Sequence, residues 1–98
     1  MWRLVVRPQV EDGLVDASLW YDTKQSGLGD QFLDEYVAAI YRILDNPSLF
    51  SVAANGLRPC LIKRFSYIIH FIVEDDQVLV IAVMNAARDD SSFMHRIP

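Results

Sequence analysis

The sequence predicts an α+β fold: an N-terminal strand, an antiparallel helical hairpin, then an antiparallel β-meander. Three observations carry that prediction. Apolar residues recur at helical spacing from Val10 to Leu44. Beyond Asn46-Pro47 the pattern changes to short apolar or alternating runs bounded by turn residues. The two helical stretches are joined by little more than Ser26-Gly27, too short a link for anything but antiparallel neighbours.

The elements follow in order. Trp2-Arg3-Leu4-Val5-Val6-Arg7 reads as a short strand. Pro8 suits a helix start, because a first-turn proline sacrifices no intrahelical hydrogen bond. Glu11 and Asp12 then lie near the positive end of the helix dipole. Val10, Leu14, Ala17 and Tyr21 make one apolar stripe, and Lys24 and Gly27 are stop signals, so this helix spans about residues 9 to 25. The second helix spans about residues 28 to 45. Phe32, Tyr36, Ala39 and Ile43 form one row on it, and Leu33, Val37, Ile40 and Leu44 the next, which predicts a wide buried face. Asn46-Pro47 ends it, since the residue before proline is pushed out of helical angles.

Leu57–Arg64, Ser66–Glu74 and Gln77–Asn85 read as strands, with Asp75-Asp76 as a turn between the last two. Tyr67, Ile69, Phe71 and Val73 point one way and Ile68, His70 and Ile72 the other, so both faces are apolar and this strand should be central. Val78–Val83 is apolar throughout and should be its buried partner. Ser48–Ala54 is expected to add a short strand, and residues 89–96 a tail with a helical turn.

Length and composition bound the function. The 98 residues fit one domain, 1–98, with a single core. An apolar content of 52% with 22% charged residues is globular rather than disordered. The longest apolar runs, such as Tyr67–Val73 broken by His70, fall well short of the roughly 20 residues a membrane span needs. No signal-peptide pattern is evident, and Cys60 is the single cysteine, so a reducing cytoplasm is the expected location. Cys60 itself is expected to be a strand residue without a chemical role.

The net charge of −4 is unevenly spread. Residues 1–46 carry four basic and eight acidic side chains; residues 47–98 carry five of each. In the second half Arg58, Lys63, Arg64, Arg88 and Arg96 are candidates for a basic face, which a Debye length of about 8 Å would let act locally. By strand parity Arg58 and Arg64 share a face and Lys63 points oppositely. Asp12 with Asp16, and Asp30 with Asp34, lie one helical turn apart. With no His or Cys to join them they read as solvated acidic faces, so no metal is expected, and no cofactor either.

Ala17-Ser18-Leu19-Trp20-Tyr21-Asp22, followed by Gly27-Leu28-Gly29-Asp30-Gln31-Phe32-Leu33, is similar to an "A..WY......GLG..F" signature. Arg58, then Leu61-Ile62-Lys63-Arg64-Phe65-Ser66-Tyr67-Ile68-Ile69, resembles "R...l.rFPY.i.y", with Ser66 in place of proline. Val78–Val83 leading to Arg88-Asp89 resembles a last strand and an "H..RdP..W..R" ending. There Asn85 replaces histidine, Asp90 proline and Phe93 tryptophan, while Arg88 and Arg96 keep their places. In this order, across nearly the whole chain, these motifs resemble the RelE/ParE toxin superfamily, whose small members are often called plasmid stabilisation proteins.

The resemblance implies the toxin of a type II toxin–antitoxin pair, partnered by a cognate antitoxin in a hetero-oligomer. Two activities are implied. ParE-like members inhibit DNA gyrase by binding it. RelE-like members are metal-independent, ribosome-dependent mRNA endonucleases. RNA cleavage needs a base, an acid and positive charge at the phosphate. Arg58, Lys63, Arg64 and Arg88 could supply charge, but lysine at a pKa of about 10.4 and arginine above 12 are poor bases at neutral pH. His70, flanked by Ile68 and Ile72, reads as structural, which leaves His95 as the candidate proton carrier. A pI near 4.9 suits a ribosome-bound nuclease badly. The reading is therefore a ParE-like gyrase-binding toxin, with mRNA cleavage or an inactive interaction module as alternatives. Its expected contact residues for target or nucleic acid are Arg58, Lys63, Arg64, Arg88, Phe93 and Arg96.

Overall fold

A computed structural model describes residues 2–86. The expected tail over residues 89–96 lies outside them, as do Arg88, Asp90, Phe93, His95 and Arg96. The described elements run β1 (Arg3–Val6), α1 (Pro8–Lys24), α2 (Leu28–Asp45), a 3-10 turn (Pro47–Leu49), β2 (Arg58–Ile62), β3 (Tyr67–Glu74) and β4 (Gln77–Asn85).

Both helices match their sequence signals. Pro8 stands in the first turn of α1 with Glu11 beside it and Lys24 in the last turn. Val10, Leu14 and Ala17 are buried, as the stripe requires. Gly27 links the helices in the left-handed region at φ 86°, a conformation costly for any side chain with a Cβ. On α2 the first apolar row is well covered: Phe32, Ala39 and Ile43 are fully buried. The second row is covered less than expected, since Val37 remains 46% exposed.

The described strands form one mixed sheet in the order β1-β4-β3-β2. β2, β3 and β4 are the expected antiparallel meander. β1 lies parallel to β4, with Arg3 opposite Gln77 and Val6 opposite Val80, a pairing that alternation in either segment could not reveal. β3 and β4 are the central strands. Cys60, Ile62, Ile69, Phe71, Val78 and Val80 form a core with the helical residues Leu14, Phe32 and Ile43. The alternate strand positions, among them Leu61, Ile68, His70, Ile72 and Leu79, face away from the helices. His70 pairs with Ala82 and Phe71 with Val80, so Ile81 is an extra residue that bulges β4.

Two expectations are corrected. Ser48–Ala54 is no strand: Pro47–Leu49 makes a 3-10 turn and the chain then loops to β2. Pro47 opens the turn, the Phe50 N–H closing it on the Pro47 carbonyl at 3.3 Å. The strand expected over Leu57–Arg64 is shorter, ending at Ile62. Lys63–Ser66 form a tight turn in which Arg64 takes a left-handed φ of 71°. Arg64 therefore cannot share a strand face with Arg58.

Candidate functional site

The residues that carry the sequence signature meet at one end of the hairpin. Asp22, in the last turns of α1, accepts a hydrogen bond from the Gly29 N–H at 2.8 Å and so caps α2 from outside that helix. At Gly29 the helices touch: an added Cβ would lie 2.2 Å from the Ser18 carbonyl oxygen and 2.9 Å from Asp22 Oδ1. Tyr21 then packs its ring on Phe32 at 5.2 Å and on Phe65 at 4.9 Å between centroids. Phe32 also meets Tyr67 at 5.1 Å. One aromatic cluster thus pins the hairpin to the Lys63–Ser66 turn and to the start of β3. Its edge-to-face geometries are the favourable ones for aromatic pairs. Burial pushes the Tyr21 hydroxyl above its ordinary pKa, and the neighbouring Tyr67 adds to the rise.

Trp20 differs from its neighbours in the signature. It stands 49% exposed, edge-to-face with Tyr21 at 5.0 Å. The Lys24 ammonium lies 4.9 Å from the indole centroid, one helical turn along. With Asp16, Ala17, Tyr67 and Asn85, Trp20 lines an open cleft of about 180 Å³ between α1 and the paired ends of β3 and β4. Tyr67 and Asn85 are direct partners in the sheet register, which places both side chains on the α1 side of the sheet. The sequence pointed to Asn85 only as a departure from histidine and to Trp20 and Tyr67 only as signature residues. That Asp16 joins them follows from its place one turn before Trp20, a relation legible only once α1 is known to cross that corner of the sheet.

Of the described candidate bases, Arg58 and Arg64 are engaged within the fold. Arg58, half-buried, donates from Nη1 to the Phe50 carbonyl and holds the loop before β2. Arg64 donates from Nη2 to Gln31 Oε1 at 3.0 Å and pairs with Glu35 at 3.6 Å, which ties its turn to α2. Lys63 is exposed in the same turn. His70 is half-buried on the sheet face away from the helices, opposite Pro59 on one side and Ala82 on the other. Cys60 is buried in β2; burial raises its thiol pKa, and Arg42 partly offsets the rise. Among the described residues no group of three His, Cys, Asp or Glu side chains converges as a metal site would require. Asp12, Asp16, Asp30 and Asp34 are all exposed. No described helix is long and apolar enough to cross a membrane.

No protein-family model and no curated protein matches the chain. Ten chains of solved structures match it. One belongs to a structure described as "Chromosomal ParDE TA system from P. aeruginosa", with a TM-score of 0.75 and 12% identity over 87% of this chain and 96% of that one. At that identity the likeness is one of fold.

Proposed function

On the premise that the chain has the ParE-like fold of the RelE/ParE toxins, we propose that it is the toxin component of a type II toxin–antitoxin system. In this reading it acts in the cytoplasm by binding DNA gyrase and is neutralised by a cognate antitoxin within a hetero-oligomer. The observation that carries the reading is the fold match to a chain of a ParDE system, which spans 87% of this chain. The ordered signature from Ala17 to Tyr67 supports it independently.

Binding is favoured over RNA cleavage by how the described bases are used. Arg58 and Arg64, which a nuclease would aim at phosphate, are each engaged with internal partners. The acidic balance of residues 1–46 also opposes a phosphate-rich target.

The test is induced expression with and without the antitoxin, paired with a supercoiling assay on purified gyrase. Growth should stop, recover when the antitoxin is co-expressed, and supercoiling should fall with added protein. Normal supercoiling at saturating protein removes gyrase as the target. Cuts in mRNA on translating ribosomes would replace it with the nuclease alternative.

A further inference from the structure

We propose that the cleft between α1 and the ends of β3 and β4 receives a basic side chain, an arginine, from a partner polypeptide. Four observations converge on that chemistry. Among the described residues, the one formally charged side chain lining the cleft is Asp16, a carboxylate able to take a guanidinium in a two-point hydrogen-bonded pair. Two aromatic residues, Trp20 and Tyr67, line the same cleft, and aromatic faces attract cations. Trp20 shows this already, with the Lys24 ammonium 4.9 Å from its ring centroid. Finally, the cleft holds about 180 Å³, below the roughly 300–1,000 Å³ of pockets for whole small molecules and on the scale of one side chain.

The surroundings favour a basic segment too. Glu11, Asp12, Asp16 and Asp22 are exposed along α1, and residues 1–46 carry eight acidic against four basic side chains. Such a field raises the local concentration of a basic peptide and repels a phosphate backbone. A nucleic acid could stack a base on Trp20, but it would bring its phosphates to Asp16. Naming the partner as the antitoxin rests on the toxin reading; the chemistry of the cleft does not.

The experiment uses the full chain carrying Trp2→Phe, which leaves Trp20 as the only tryptophan. An arginine pentapeptide (acetyl-Gly-Gly-Arg-Gly-Gly-amide) is titrated while Trp20 fluorescence and backbone amide shifts are followed. The same peptide with citrulline, uncharged and nearly isosteric, is the control. The arginine peptide should move the amides of Asp16, Trp20, Tyr67 and Asn85 with millimolar affinity. The citrulline peptide should bind about tenfold more weakly, and Asp16→Asn should weaken the arginine peptide by about fivefold or more, its circular dichroism unchanged. Equal binding of the two peptides, shifts confined to other residues, or no shift up to about 20 mM peptide would overturn the proposal. So would a hexaribonucleotide that moves the same amides at lower concentration than the arginine peptide. Growth arrest is scored separately and bears on the toxin reading alone, so either idea can fail without the other.

Discussion

A methyl group at Gly29 would sit 2.2 Å from the backbone oxygen of Ser18 and 2.9 Å from Asp22 Oδ1. Because the closest atom is main chain, the helices would have to separate. Gly29→Ala should therefore cost about 1–3 kcal/mol of stability, an overpacking penalty far larger than its gain in helix propensity. Asp22→Ala removes the acceptor of the Gly29 N–H and should cost about 1 kcal/mol, as the loss of a helix cap does. Urea unfolding of the two variants checks both values; an unchanged midpoint in Gly29→Ala would contradict the close approach. Here the sequence was legible as a pattern but not as a cause. Gly27 and Gly29 look alike in the string, yet one supplies a left-handed backbone and the other a missing side chain.

At the scale of elements, β2 illustrates where strand arithmetic stops. Its alternation is sound from Arg58 to Ile62, with Cys60 and Ile62 buried and Leu61 56% exposed. Carrying the alternation on to Arg64 fails because the chain has by then turned, held by the left-handed Arg64 and by its bonds to α2. β2 is also an edge strand, and its edge is blunted. Pro59 offers no N–H, and the Leu61 carbonyl accepts from Arg42 Nη2 at 2.9 Å. Arg58 clamps the preceding loop through the Phe50 carbonyl. Arg58→Ala should thus lower stability by about 1–2 kcal/mol, as loss of a charge-assisted hydrogen bond does, and speed proteolysis of the loop over residues 50–57. Limited proteolysis with a thermal melt measures this. An Arg58→Ala protein of unaltered stability and protease resistance would instead free that side chain for a direct functional role.

At the scale of the whole molecule, the buried Cys60 and the half-buried Tyr21 and Tyr36 make stability fall at alkaline pH. Burial raises the pKa of Cys60, Tyr21 and Tyr36, the last with a further rise from Glu11 nearby. Raised values mean that the folded state keeps these protons longer than the unfolded chain does. Stability is then full below the ordinary values of 9.0 for cysteine and 10.0 for tyrosine, and falls as pH rises above them. The urea midpoint should be level up to about pH 9 and then decline, and in Cys60→Ala the earliest part of the decline should be missing. A midpoint that rises above pH 9 would contradict the raised values of all three.

The same scale divides what could be read from what could not. Both helices, the hairpin link, the meander and the centrality of β3 were determined by the sequence itself, because each depends on side-chain spacing within a few residues. The 3-10 turn at Pro47 was missed where the local signal was ambiguous: a short apolar run after a proline suits a strand as well as a loop. The parallel pairing of β1 with β4, the engagement of Arg58 and Arg64 by internal partners, and the cleft of Asp16, Trp20, Tyr67 and Asn85 were decided only by the tertiary structure. They join residues from distant parts of the chain, and no periodicity records which distant surfaces will bury one another.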